Sequence, residues 1–238
     1  MDNNKTKQMV SVLIVLAVIA VGYFLLRDSK PPATEPVTIE GIEVNPGETN
    51  TANTGSGLRP ITADDHILGN TNAKLVIVEY SDTECPFCKQ FHNTMQNVIE
   101  NNNGNVAWVY RHYPIAQLHQ KAFHEAEATE CAWDQGGNTG FWKYTNELYR
   151  VTQSNDRLPT EDLTKIAGAV GLNVKTFNTC LNSGKFAEKI NADMMDGQLN
   201  GVQGTPTSFI LMNGKVVDMI EGAQTEAGVQ QQIDRLLK

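Results

Sequence analysis

Cys85 and Cys88 are the residues of this sequence whose types and spacing could perform chemistry. They directly follow an apolar run at 75–80 and begin a segment with helical periodicity. A cysteine at the start of a helix faces unpaired backbone N–H groups and the positive end of the helix dipole, and both favour the thiolate. Pro86 suits the first helical position, because its fixed φ is helical and its missing N–H needs no partner there. The spacing predicts a redox pair, with Cys85 as the nucleophile.

The same spacing is also that of half a zinc site, and His92 lies on the same predicted helical face as Cys88. The sequence contains no second Cys-x-x-Cys, and its five histidines are scattered without a metal-binding spacing. His92 would either border the active face, where its protonated form favours a thiolate, or cover the surface of the helix. We therefore expect a redox motif and no metal ligand.

The elements that position this motif follow from hydrophobic periodicity. The nearly continuous apolar run at 75–80 predicts a strand buried on both faces. A helix with an apolar face from Phe87 to Ile99 follows and ends at Asn103-Gly104, where glycine favours a helix stop. The alternating residues 106–110 predict a second strand, so this region forms a βαβ unit.

The second half of the chain contains a helical region and a hairpin. Residues 208–212 and 215–220 flank Asn213-Gly214, a strong hairpin signal, and a last helix begins after Thr225 as its N-cap. Helical periodicity at 116–134, 139–150, 160–170, 173–183 and 186–199 predicts five helices before this hairpin. The fold class is α/β, with a central mixed sheet flanked by helices and a helical insertion at about 115–200.

The first sixty residues differ in composition from the rest. Residues 9–26 form a run of 18 residues without a charge, which as a helix spans roughly 27 Å, close to the apolar thickness of a bilayer. The run ends in large residues instead of a signal-peptidase site, which favours an uncleaved anchor over a cleaved signal peptide. We expect a cytoplasmic tip and transmembrane anchor at 1–27, a flexible linker at 28–60 and a globular domain at 61–238.

Composition narrows the function further. A chain of 238 residues with 40% apolar residues can bury one sizeable core. Its net charge of −8 disfavours a nucleic-acid partner.

The order of these motifs resembles that of DsbA-like members of the thioredoxin superfamily. The resemblance covers about residues 61–238 and rests on Cys85-Pro86-Phe87-Cys88, the helical insertion, and Gly204-Thr205-Pro206 before the hairpin. With its anchor and linker, the chain is similar to the membrane-attached, BdbD-like members from Gram-positive bacteria. The resemblance implies a thioredoxin-like fold preceded by a transmembrane helix, and thiol–disulfide exchange on exported proteins outside the cell membrane. The redox group would be the Cys85–Cys88 disulfide, without a further cofactor.

The resemblance also assigns roles to other residues. It implies a cis peptide bond before Pro206 and a substrate-binding backbone at Thr205, and the apolar Phe87 would contact substrate segments. Glu79 matches the buried acid of the family, and a buried carboxyl with a raised pKa can exchange a proton with Cys88. The alternative is that strand alternation turns Glu79 outward.

The remaining cysteines, Cys131 and Cys180, lie in two different predicted helices. Four cysteines in a chain sent outside the cytosol suggest a second, structural disulfide between them. The alternative is a pair of buried thiols that pack as small apolar residues.

We expect an oxidase that introduces disulfide bonds into reduced, unfolded exported proteins. A DsbB-like, quinone-linked membrane protein would reoxidise it by family resemblance, and residues 9–26 would contact lipid. Two alternatives stay open from the sequence. One is an isomerase or reductase of the same fold, and the other is a non-catalytic tethered protein that binds unfolded chains or a metal.

Overall fold

The computed structural model of the chain describes residues 57–238. The predicted anchor and the predicted linker up to residue 56 lie outside the described residues. Within 57–238, none of the helices is both long and apolar enough to cross a membrane.

A mixed five-stranded sheet forms the centre of the described region, in the order β1-β3-β2-β4-β5. The strands are β1 (His66–Gly69), β2 (Leu75–Ser81), β3 (Val106–His112), β4 (Thr207–Met212) and β5 (Lys215–Glu221). β2 runs parallel to β3, and the other neighbouring pairs are antiparallel. The predicted mixed central sheet is confirmed. β1 was not predicted, because an edge strand of four residues is too short to show a periodicity.

In the described part of the chain, six helices flank or extend this sheet. They are α1 (Pro86–Asn101), α2 (Ala122–Val151), α3 (Asp162–Ala169), α4 (Val174–Ser183), α5 (Ala187–Leu199) and α6 (Glu226–Leu236). α2 is interrupted at Gly137, whose φ of 55° and ψ of −151° are not helical. The two predicted helices at 116–134 and 139–150 are therefore the two halves of α2. The first half begins later than predicted, because the carbonyl of Ile115 accepts the N–H groups of Leu118 and His119 in a turn.

The main core holds α1 and α6 against one face of the sheet. Its buried apolar residues include Leu75, Ile77, Phe91, Met95, Trp108, Val229 and Ile233. Phe141, Trp142 and Tyr149 of α2 pack into the same core. The helix that begins at the cysteine motif is thus fixed both by the sheet and by the helical region.

The opposite face of the sheet is covered by α5 and the segment before β1. Gly197 marks the closest approach of α5, because a Cβ there would lie 2.8 Å from the ring of Tyr113 and 2.9 Å from the ring of Tyr80. Arg111, buried on this side, donates hydrogen bonds to the carboxylates of Asp65 and Asp196. This face is closed by buried ion pairs as well as by apolar contacts.

A separate apolar cluster holds α2, α3 and α4 together. It includes Ala128, Tyr144, Leu148, Leu163, Ile166 and Phe177. The structure joins Cys131 of α2 to Cys180 of α4 by a disulfide within this cluster, with their Cα atoms 5.8 Å apart.

Candidate active site

Cys85 lies at the end of the short connection between β2 and α1. It is the residue directly before the helix, in an extended conformation, and Pro86 is the first helical residue. The carbonyl of Cys85 accepts the N–H of Lys89 and so begins the helical hydrogen-bond pattern. The sulfur therefore lies at the helix N-terminus, where the first N–H groups have no carbonyl partner within the helix.

The two thiols of the motif differ in acidity. The thiol of Cys88 hydrogen-bonds to Cys85 and lowers the pKa of Cys85 to about 6, with further help from the backbone N–H groups of Cys88 and Phe87. Burial opposes this shift without cancelling it. Burial instead raises the pKa of Cys88 well above its ordinary value. At neutral pH the reduced pair therefore carries its negative charge on Cys85.

Both sulfurs of the pair are largely shielded from solvent. Cys85 is 5% exposed and Cys88 is fully buried, whereas Phe87 between them is 61% exposed. Cys85 packs against the loop before β4, and its thiol lies 3.4 Å from the carbonyl oxygen of Thr205. A substrate sulfur would have to approach Cys85 beside Phe87 and this loop.

The loop before β4 supplies the polar edge of the site. The Thr205–Pro206 peptide bond is cis in the structure. The Thr205 hydroxyl is buried without a partner among the described residues, so it is a donor available to a Cys85 thiolate. A surface groove beside this loop is lined by Gly204, Thr205, Pro206, Met219 and Glu221, among others.

Glu79 is fully buried in β2 and lies on the sheet face that Ile77 presents to α1. The alternative that it turns outward is wrong. Within residues 57–238 neither carboxyl oxygen has a hydrogen-bond partner. Burial raises the pKa of Glu79 to about 8, and the charge of Cys85 acts in the same direction. Glu79 is therefore mostly protonated at neutral pH and can donate a proton.

Asp82 and His119 also belong to the site, and the sequence analysis missed both. Asp82 Oδ2 lies 2.9 Å from Nδ1 of His119, and the N–H of Asp82 donates to Cys88 Sγ at 3.4 Å. Asp82 sits in the polar run between β2 and Cys85, and this position beside the motif is a local signal of its role. His119 follows 34 positions after Cys85, and nothing in its local sequence indicates this contact.

A buried carboxyl pair lies behind the motif. Burial and a hydrogen bond with Glu84 raise the pKa of Glu125 to about 9, so this pair holds a proton at neutral pH. Glu84 also accepts the N–H of Asp156 at 2.7 Å, and its carbonyl accepts the N–H of Asn155 at 2.8 Å. The residue before Cys85 is thereby fastened to the loop after α2.

His92 does not act on the cysteines. Its Nε2 lies 2.8 Å from Oδ1 of Asn146 on α2, and its ring packs against Trp108 and Tyr149. Burial lowers the pKa of His92 to about 4, so the ring is neutral near pH 7. The interpretation in which a charged His92 favours the thiolate is wrong, because the residue faces the core.

Among residues 57–238, one group of side chains could hold a metal ion, and it lies outside the motif. His66, His112 and Glu130 are buried, and their ligand atoms lie within 4.8 Å of one another. The sequence analysis was wrong to treat the histidines as scattered, because β1 and β3 bring these two together. Lys189 Nζ lies 2.9 Å from the same Glu130 oxygen that both histidines contact. The lysine thus already balances the carboxylate charge.

Comparison with known proteins agrees with this geometry. A family model described as thioredoxin matches residues 62–235. The chain belongs to the thioredoxin family. Solved structures show which members of the thioredoxin family this protein resembles. Pseudomonas aeruginosa DsbA2 superposes with a TM-score of 0.62 at 26% identity, over 75% of this chain and 97% of that one. The predicted resemblance to DsbA-like thiol–disulfide oxidoreductases is confirmed.

Two further comparisons extend this result. BdbD from Bacillus subtilis, in its oxidised form, superposes with a TM-score of 0.62 at 23% identity, over 76% of this chain and 96% of that one. The Na(+)/H(+) antiporter NhaA 1 of Mycolicibacterium gilvum is 34% identical over 161 residues, which are 66% of this chain and 25% of the antiporter. The chain spans about a quarter of the length of such curated relatives, so their transport activity is not assigned to it.

Proposed function

We propose that this thioredoxin-family protein is a membrane-anchored oxidase that introduces disulfide bonds into exported proteins through Cys85 and Cys88. The observation that carries this proposal is the difference in acidity between the two thiols. A cysteine whose pKa is lowered to about 6 is a good leaving group at neutral pH, and stabilising its thiolate favours the reduced form of the pair. A pair whose reduced form is stabilised accepts electrons from other thiols.

In the first step a thiolate of the substrate attacks Sγ of Cys85 in the oxidised protein. The Cys85–Cys88 bond breaks, a mixed disulfide forms between substrate and Cys85, and Cys88 leaves with the electron pair. Because burial disfavours a Cys88 thiolate, this sulfur needs a proton at once. Glu79, uncharged at neutral pH and buried on the same side of the sheet, is the proposed donor.

In the second step another thiolate of the substrate attacks the substrate sulfur of the mixed disulfide. The substrate disulfide forms, and Cys85 leaves as the stabilised thiolate. The two electrons taken from the substrate now reside in the reduced pair. Reoxidation requires an electron acceptor, for which we propose a quinone-linked, DsbB-like membrane protein on the basis of family resemblance.

The backbone of Thr205 is the proposed docking edge for the substrate chain. Its carbonyl oxygen lies 3.4 Å from Cys85 Sγ. Neither a Cys85 thiolate nor the disulfide donates a proton to this oxygen, so the carbonyl is available to a substrate N–H. Phe87, exposed beside the sulfur, offers an apolar contact next to this edge.

The cellular site of action is also proposed. The uncharged run at 9–26 supports a single-pass anchor, and the disulfide between Cys131 and Cys180 suits a compartment that is not reducing. Together they support a catalytic domain on the outer side of the cell membrane. Unfolded exported proteins with free thiols are the corresponding substrates.

The proposal is tested by mixing the oxidised protein with a reduced dithiol peptide and following the formation of the peptide disulfide. We expect stoichiometric oxidation of the peptide, its loss in Cys85→Ala, and an equilibrium with glutathione that favours the reduced Cys85–Cys88 pair. Zinc analysis of the purified protein accompanies the assay.

Each contrary result points to a different function. An equilibrium that favours the Cys85–Cys88 disulfide replaces the oxidase with a reductase or isomerase. A peptide that stays reduced, together with stoichiometric zinc, indicates the non-catalytic binding protein.

A further inference from the structure

Asp82 connects the two redox cysteines to the helical region. Its N–H donates to Cys88 Sγ at 3.4 Å, and its carbonyl oxygen accepts the N–H of Cys85 at 3.2 Å. Its carboxylate accepts the N–H of Glu84 at 2.9 Å and that of Ile115 at 2.8 Å. Asp82 is buried, so its charge is poorly screened by solvent.

The negative charge of the Asp82 carboxylate disfavours the Cys85 thiolate. Two negative charges on a buried segment of four residues repel each other, and Phe87 between the cysteines carries no charge that could offset the repulsion. The pair of Glu84 and Glu125 adds a further buried acid close by. A cation bound to Asp82 would remove most of this repulsion.

His119 is placed to be that cation. It is 6% exposed, and its Nδ1 lies 2.9 Å from Asp82 Oδ2, so the carboxylate fixes a proton on Nδ1. A second proton on Nε2 makes the ring an imidazolium. Burial alone would lower the pKa of His119, but the Asp82 hydrogen bond and the charges of Asp82 and Cys85 raise it above its ordinary value.

The surroundings of His119 contain few other ionisable groups. The residues that influence its charge are Asp82 after β2, Cys85 before α1, and the uncharged Asn155 after α2. Lys121, two positions further on, directs its Nζ to the carbonyls of Asp156 and Leu158 instead. The charge of His119 is therefore coupled mainly to Asp82 and Cys85.

We propose that His119 is a positioning residue of the redox reaction, whose imidazolium, held on Asp82, stabilises the Cys85 thiolate from outside the Cys-x-x-Cys motif. The inference rests on the proposed oxidase function and names a residue that adds to its driving force. The dipeptide Pro86-Phe87 between the cysteines carries no charge. In this proposal His119, in the segment before α2, supplies the positive charge.

The test compares His119→Gln, which keeps an N–H donor for Asp82 but has no charge, with His119→Lys, which restores a cation. We expect the glutamine variant to raise the pKa of Cys85 by about one unit, as removal of one nearby charge does. At pH 7 this weakens the preference of the pair for its reduced form about five-fold. The lysine variant should recover much of both losses.

The measurements are the absorbance of the Cys85 thiolate as a function of pH and the redox equilibrium with glutathione. His124→Gln is the matched control, because His124 is a more exposed histidine that contacts Glu127 and not Asp82. Unchanged values in His119→Gln overturn the proposal. Equal losses in His119→Gln and His119→Lys also overturn it, because a role that is only structural would not distinguish a cation from an amide.

A second measurement needs no variant, in case His119→Gln does not fold. Coupling between two charges is reciprocal, so the thiolate must raise the pKa of His119 by as much as His119 lowers that of Cys85. Histidine titration by NMR should give His119 a higher pKa in the reduced protein than in the oxidised protein. Equal values in the two forms overturn the inference. They leave the oxidase function intact if the peptide is still oxidised.

Discussion

The two cysteine pairs of this molecule occupy opposite environments. Cys85 and Cys88 lie in the first turn of α1, where backbone N–H groups are free to stabilise a thiolate. Cys131 and Cys180 lie inside α2 and α4, among apolar side chains. The N–H groups of a helix interior are already bonded within the helix, so they cannot stabilise a thiolate. The position in the helix, and not the residue type, separates a reactive pair from a structural one.

The loops that the two pairs close differ as well. A bond between Cys85 and Cys88 closes only four residues, whereas the bond between Cys131 and Cys180 spans a sequence separation of 49. A disulfide restricts the unfolded chain more when it closes a longer loop. The first bond can therefore open and close in each cycle at little cost to the fold, and the second ties two helices together.

The largest effect, on the free energy of unfolding, is expected from removing the disulfide between Cys131 and Cys180. Cys131→Ala/Cys180→Ala should lower the free energy of unfolding by about 4 kcal/mol, the chain-entropy value for a loop of this length. Below its unfolding transition the variant should still oxidise a dithiol peptide, because the reactive pair is unchanged. Denaturant unfolding monitored by circular dichroism measures the loss.

Cys85→Ala/Cys88→Ala is the matched control for this prediction. It opens a loop of only four residues and should lose about half as much stability in the oxidised protein, together with all oxidase activity. If the two double variants lose equal stability, loop length does not explain the difference between the pairs.

The next effect concerns the proton that Cys88 exchanges. In Glu79→Gln the side chain keeps nearly the same volume but cannot give or take a proton at neutral pH. We expect formation of the mixed disulfide, in which Cys88 leaves and takes the proton, to slow about 100-fold, within the usual range for losing a general acid or base. The attack of the second substrate thiolate, which releases Cys85, should slow much less. Single-turnover kinetics with quenched samples separates the two steps.

Glu125→Gln is a suitable control, because Glu125 is also a buried carboxyl with a raised pKa but contacts Glu84 instead of the cysteines. Equal slowing of both steps in Glu79→Gln contradicts the role of Glu79 as proton carrier. Equal slowing of mixed-disulfide formation in the two variants means that the effect is not specific to the acid that is coupled to Cys88.

The sequence predicted the reactive pair better than its surroundings. Cys85 can be recognised from the sequence because the strand, the proline and the helix around it are contiguous in the chain. A local sequence pattern is therefore enough to predict this local structure. Glu79 was also accessible, since a single acid in an apolar strand stands out. Likewise, the predicted break between 134 and 139 corresponds to the interruption of α2 at Gly137, and the predicted helix end at 170 lies close to the end of α3.

The positions of the histidines around the site depend on contacts between segments that are distant in the sequence. His119 reaches Asp82 only because residues 114–121 form turns, which delay the start of α2 beyond the predicted position. His66 and His112 meet because β1 pairs with β3. Helix periodicity allowed His92 either to border the active face or to cover the surface of the helix, but the residue is buried against α2. No local periodicity contains this information, because pairing and packing between distant segments decide each case.

The smallest expected effect is a shift of the pH midpoint for alkylation of Cys85. It tests directly whether the position in the helix makes this thiol more acidic. Mild reduction that spares the Cys131–Cys180 bond leaves Cys85 and Cys88 as thiols. Since only a thiolate reacts with iodoacetamide, alkylation of Cys85 should rise about ten-fold per pH unit and level off above a midpoint of about 6. Cys88 should stay unmodified across this range, because burial raises its pKa.

Full reduction in denaturant supplies the reference for this midpoint. There all four cysteines lose their surroundings and should react with a common midpoint of about 8.5. The difference between the native and denatured midpoints then measures what the N-terminus of α1 and its neighbours contribute to Cys85. If the native midpoint equals the denatured one, helix position does not make this thiol acidic, and the contrast between the two cysteine pairs reduces to loop length alone.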